Sequence, residues 1–162
     1  AKDVSGSDKL SSEEDIAKIF RREHYTLVYL VENDSGLEKI ILPIRGYGLW
    51  GTLYGFIALE SDANTVAGIG FYDHKETPGL GGEVDNPRWK ATWTGKQVYD
   101  DGSPVLKLIK GTVNPASNSA QYEIDGLSGA TLTSRGVSNL LHFWLGDGGF
   151  KPFLKNLKTG EA

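Results

Sequence analysis

One stretch narrows the fold of this chain more than any other. Val137, Leu140, Leu141 and Trp144 recur at i, i+3, i+4 and i+7, and the chain enters this stripe through Asp125-Gly126-Leu127-Ser128-Gly129-Ala130-Thr131-Leu132-Thr133. The spacing predicts a helix with one buried face, starting at about Thr133 and stopped by Gly146. A helix needs a surface to bury its stripe against, so the rest of the chain must supply that surface. The entry is short of bulk and rich in hydroxyls. It presents free backbone N–H groups and the positive end of the helix dipole to the loop, a ready-made phosphate site with a threonine hydroxyl in covalent reach.

The surface reads as β-structure. Tyr25 to Glu32 and Glu38 to Ile44 are β-rich runs separated by Asn33-Asp34-Ser35-Gly36, and Thr52 to Glu60 and Thr65 to Tyr72 flank Ser61-Asp62-Ala63-Asn64. Two hairpins in succession favour an antiparallel sheet. The expected fold class is therefore α+β, a twisted, mainly antiparallel sheet with helices packed on it. Before the sheet, residues 1–10 read as a polar leader, and Ser11-Ser12-Glu13-Glu14 is a capping-box signal for a short helix whose apolar face is Ile16, Ala17, Ile19 and Phe20. Lys18, Arg21 and Arg22 then fall on that helix's solvated face. After the sheet come a Gly/Pro-rich loop over 73–87, a segment over 88–97 carrying Trp89 and Trp93, a strand at Val105 to Lys110, a polar loop at 112–121 and a short helix at Phe150 to Leu157.

Composition removes several functions. A chain of 162 residues with no long linker makes one domain with a core. A net charge of −4 with no dense Lys/Arg stripe argues against nucleic acid. Without cysteine there is neither a disulfide framework nor a thiolate-held metal or iron–sulfur cluster. His24, His74 and His142 show no ligand spacing, so no metal site is expected. No apolar run approaches the ~20 residues of a membrane span. Gly46-Tyr47-Gly48-Leu49-Trp50-Gly51 spells G-x-G-x-x-G, but a β-rich run follows where a dinucleotide site needs a helix. No direct NADH binding is expected.

Three motifs in order carry a family resemblance: Arg45 to Gly51, Glu76-Thr77-Pro78-Gly79-Leu80-Gly81-Gly82-Glu83, and Asp125 to Thr133 with Trp144-Leu145-Gly146-Asp147 after it. A short S-G-A-T match alone would describe any Ser/Gly turn with a Thr N-cap. The three together resemble FMN-binding domains whose FMN is joined to threonine by a phosphoester, above all the C subunits of bacterial Na+-translocating NADH:quinone oxidoreductases. The G subunits of the Rnf electron-transport complexes are cousins, and a scaffold domain that has lost its flavin is a further alternative. The resemblance covers roughly residues 25–153. It divides the chain into 1–24, leader and short helix, and 25–162, the FMN-binding domain.

The resemblance implies covalent FMN on Thr131, not Thr133, transferred from FAD by a separate flavin transferase, since threonine is a poor nucleophile and no base triad stands beside it. Asp125 is a candidate assistant in that reaction. Ser128, Gly129, Ala130, Leu132 and Thr133 belong to the attachment segment, with Gly129 allowing close backbone approach. Arg135 can pair with the phosphate, or simply stand in solvent. His74, Glu76, Thr77, Pro78, Gly79, Leu80 and Gly81 are expected to cradle the isoalloxazine ring, with Leu80 over a face, and Gly48, Leu49 and Trp50 to form or support the pocket wall. The chain begins at Ala1 and has no methionine, so it reads as a fragment or a processed form. The resemblance places an N-terminal transmembrane helix outside it, the flavin domain on the periplasmic side of the inner membrane, and other membrane subunits as partners.

Overall fold

A computed structural model describes residues 6–160 and has the expected α+β architecture. Its centre is a four-stranded antiparallel meander: β3 (Tyr29–Asn33), β4 (Gly36–Tyr47), β5 (Thr52–Glu60) and β6 (Val66–Asp73), in that spatial order. Alternation sets the faces. Ile40, Leu42 and Ile44 of β4 and Leu53, Ile57 and Leu59 of β5 are buried on the inner face. The stripe read from the sequence lies against them: the long helix spans Thr131–Trp144 and buries Val137, Leu140, Leu141 and Trp144. It is the second of three helices, α1 (Pro87–Ala91), α2 (Thr131–Trp144) and α3 (Lys151–Thr159).

The helix backbone comes unusually near the sheet. A Cβ on Gly136 would lie 2.4 Å from the Tyr47 carbonyl oxygen, and one on Gly46 would lie 2.5 Å from the Leu140 Cβ. Glycine at both positions lets α2 rest directly on the end of β4. Gly48 to Gly51 is accordingly the turn between β4 and β5, closed by the Gly48 N–H donating to the Gly51 carbonyl at 2.8 Å.

Several expectations need correction. No helix follows the Ser11 capping box, although the box itself forms: the Glu14 carboxylate accepts from the Ser11 amide at 3.1 Å and from its hydroxyl at 2.7 Å. Asp15 ends the turn instead, accepting from the Ile19 and Phe20 amides at 2.8 and 2.7 Å, with Lys18 and Phe20 at positive φ. Ala17 is buried, and its carbonyl accepts from the Tyr47 amide. Arg21 and Arg22 lie in a strand, β2 (Arg21–Glu23), paired antiparallel with β1 (Ser7–Lys9). The polar leader was expected over 1–10; residues 1–5 lie outside the described residues.

The first sheet strand begins at Tyr29, not Tyr25, because its ladder with β4 stops at Tyr29 opposite Ile41, two residues before Pro43. Pro43 has no N–H to offer, while its pairing with Phe56 of β5 continues unbroken. The strand expected at Val105 to Lys110 shrinks to β9 (Lys107–Leu108), which pairs in parallel with β10 (Glu123–Ile124). Between β6 and β9 run α1 and the hairpin of β7 (Tyr99–Asp100) and β8 (Ser103–Pro104). The helix α2 starts two residues earlier than the expected Thr133, with Ala130 as its N-cap. No helix among the described residues is long and apolar enough to cross a membrane.

Candidate functional site

Thr131 is the first residue of α2 and is exposed. No side chain caps this helix, so its first amides take no side-chain acceptor. Gly129 sits at φ +68°, the left-handed conformation that turns the chain into the helix. Ser128 is exposed, whereas Ala130 is buried and donates its amide to the Leu127 carbonyl. The loop is held from behind by Ser134, whose hydroxyl accepts from the Leu127 amide at 3.1 Å. Ser138, one turn on, accepts from the Leu108 amide at 3.0 Å and so joins α2 to β9.

Thr131 opens onto a cleft of about 890 Å³ between α2, α1 and the segment around β9. Four basic side chains line it: Arg88, Lys107, Lys110 and Arg135. Asp125 is the acidic residue on its wall, and the Asp125 carboxylate already accepts from the Val113 amide at 2.8 Å. Its carbonyl takes the Trp89 indole N–H at 2.9 Å. Asp125 thus fastens the cleft's floor to a buried tryptophan pair, Trp89 and Trp93, packed edge to face at 5.3 Å. A positive cleft in a chain of net charge −4 suits an anion. Sequence reasoning missed Arg88, Lys107 and Lys110, because only the tertiary fold brings them to Thr131. His142 also lines the cleft, at its far end, with Nε2 on the Leu106 carbonyl at 3.0 Å. Burial lowers its pKa below the ordinary 6.5, against the raising effect of that carbonyl.

The Gly/Pro-rich loop lies on the other side of the helix start. Thr77 turns it: its carbonyl accepts from the Leu80 and Gly82 amides at 3.1 and 2.9 Å, with Pro78 exposed and Gly79 at φ +77°. Leu80 is exposed and close to the attachment segment, since a Cβ on Gly129 would lie 3.0 Å from its methyl group. Gly81 opens a short 3-10 turn, Gly81–Asp85.

His74 is partly buried, with both ring nitrogens engaged. Its Nδ1 accepts from the Glu76 amide at 3.1 Å, which leaves Nε2 as the donor to Asp85 at 2.7 Å. Glu76 is turned inward and is 5% exposed. Its carboxylate accepts from the Leu49 and Trp50 amides, each at 3.1 Å, and from the Thr133 hydroxyl at 2.5 Å. Gly48 leaves room for it, as a Cβ there would lie 2.5 Å from Glu76 Oε1. Thr133 is buried and committed to this bond, whereas Thr131 is free to be reached from outside. The three expected segments therefore do meet, at the Glu76 carboxylate, beside the cleft onto which Thr131 opens.

A model of the FMN-binding domain matches residues 48–146, more than half of the chain. The chain belongs to the FMN-binding domain family. Family members similar to it include the C subunit of the Na(+)-translocating NADH-quinone reductase of Pseudomonas aeruginosa, 64% identical over all of this chain and 62% of that protein. Its counterpart in Vibrio parahaemolyticus is 50% identical over 99% of this chain and 60% of that protein. The chain thus spans about three-fifths of the length of these two relatives. Among solved structures, NqrC of Shewanella oneidensis superposes with a TM-score of 0.86 at 41% identity, covering 94% of this chain and 69% of that one. The C subunit of the Na(+)-translocating reductase of Parabacteroides distasonis gives 0.67 at 36% identity, over 78% and 61%. The resemblance read from three short motifs therefore holds over almost the whole chain.

Proposed function

We propose that this chain is the flavin-bearing domain of the C subunit, an electron relay, of a Na+-translocating NADH:quinone reductase, with FMN joined by a phosphoester to Thr131. One observation carries the reading. Thr131 is the exposed first residue of an uncapped 14-residue helix, inside the family match, at the mouth of a basic cleft. These residues fit the group. The first amides of α2 and the helix dipole would hold the phosphate, and Arg135, one turn on, would add a full positive charge. Leu80, Leu132 and Trp50, all exposed, offer apolar cover on the opposite side. When bound, FMN supplies one- and two-electron redox chemistry. The chain's own part is to hold it at a fixed place and exclude water from one ring face.

The same reading gives Thr131 to a separate flavin transferase with FAD as donor, since a threonine hydroxyl is by itself a poor nucleophile. It also gives the domain the other membrane subunits of the complex as partners. Its place is the periplasmic side of the bacterial inner membrane, held by an N-terminal helix, and it does not meet NADH directly.

Co-expression with a flavin transferase tests the attachment. Thr131→Ala should abolish yellow fluorescence in the denatured protein band. Thr133→Ala should keep some of it, because Thr133 is buried on Glu76. A flavin-bearing tryptic peptide that lacks Thr131 would overturn the assignment.

A further inference from the structure

Three exposed apolar side chains stand around the start of α2: Trp50 at 61%, Leu132 at 50% and Leu80 at 43% exposure. They come from three separate segments, yet each sits beside an atom that one buried carboxylate touches. The Trp50 amide itself donates to Glu76 Oε1. Leu132 precedes Thr133, whose hydroxyl donates to Oε2. Leu80 precedes Gly81, where a Cβ would lie 2.9 Å from the same oxygen. Among the described residues no Lys, Arg or His forms an ion pair with Glu76. A buried charge without a countercharge is costly unless hydrogen bonds hold it, and here every donor is neutral.

We propose that Glu76 is a positioning residue with two effects: it holds the Trp50, Leu80 and Leu132 segments in one arrangement, and it keeps a fixed negative charge beneath the apolar wall they form. The second effect rests on the reading that FMN is carried on Thr131 against that wall. A fixed negative charge close to a ring disfavours the arrival of electrons there. A neutral side chain of the same shape should therefore make the flavin easier to reduce.

The experiment has two arms, both on the 162-residue chain. In the flavin-free protein, amide hydrogen exchange at Leu49 and Trp50 reports the hold directly. Glu76→Gln should speed both by about tenfold or more, since each loses a charge-assisted acceptor. Thr133→Val should loosen the same amides less, and Thr133→Ser should restore them. In the flavinylated protein, Glu76→Gln should raise the midpoint potential, while Glu76→Asp, which keeps the charge, should raise it less. Unchanged exchange in Glu76→Gln would refute the hold, and an unchanged potential would refute the charge effect. Should Glu76→Gln fail to fold, Glu76→Asp takes its place in the exchange arm: it keeps the charge on a shorter stem, and parent-like exchange there would refute the hold. If FMN proves to sit on a residue other than Thr131, the exchange arm still decides the hold, so the two failures are told apart.

Discussion

Two segments of this chain compete as helix starts, and the wrong one has the better local signal. At Ser11–Glu14 the capping box makes its hydrogen bonds and no helix follows. At Ala130–Thr131 no side chain caps anything, and a 14-residue helix runs from there. The difference lies in what each segment can bury. A cap is worth about 1 kcal/mol. The α2 stripe places Val137, Leu140, Leu141 and Trp144 against the sheet, and each large apolar side chain fully buried is worth about 1.5–3 kcal/mol. In the N-terminal segment Ala17 is the buried side chain, while Ile16 and Phe20 stay exposed, so helix formation there has little to gain.

The comparison can be broken most severely from the helix side. Leu140→Ala should lower stability by about 2–5 kcal/mol in denaturant titrations, through lost burial and the cavity left against Gly46. A loss under about 1 kcal/mol would mean that the stripe is not what makes α2 form.

A middle effect is expected at Asp15→Ala. This carboxylate holds the N-terminal turn through two backbone amides and sustains positive φ at Lys18 and Phe20. Its removal should cost about 1–3 kcal/mol. Far-UV circular dichroism should show no gain of helix, and a clear gain would show that Asp15 suppresses a helix the capping box would otherwise start.

The smallest effect belongs to Ser11→Ala, which should lower stability at neutral pH by less than either of the other two substitutions. Glu14 is held below its ordinary value of 4.5, first by the Ser11 hydroxyl and then by the Ser11 amide. A carboxylate with a lowered folded pKa adds stability above its unfolded value and loses it as pH falls through the folded one. Ser11→Ala should therefore be slightly less stable than the parent at neutral pH, and the two should converge as pH falls through the Glu14 titration, which flattens the acid limb.

What the sequence made legible follows the same division. Period-2 and period-3.6 patterns describe burial, and burial decides, so β4, β5, β6 and α2 were readable to within a few residues. Tyr25 to Val28 misleads because the residue that stops their ladder, Pro43, lies across the sheet and not in the strand itself. The start of α2 shifts to Thr131 because Ala130 caps it through backbone geometry alone. At the site, the Asp125–Thr133 motif was visible as a helix entry, whereas Arg88, Lys107 and Lys110 are distant in the chain and carry no pattern. Glu76, in a Gly/Pro-rich loop, reads from the sequence as one of the ring-cradling residues. Its inward turn depends on the space left by Gly48 and Gly81, which only the packing reveals.

The contact of Gly136 with the Tyr47 carbonyl has one further consequence. With backbone resting on backbone there, the end of α2 that carries Thr131 and the β4–β5 turn are parts of one stiff body. A group hung from Thr131 then explores only the volume its own few rotatable bonds allow. Its effective concentration at any docking partner is set by the length of that short tether, and the protein adds almost no wandering of its own.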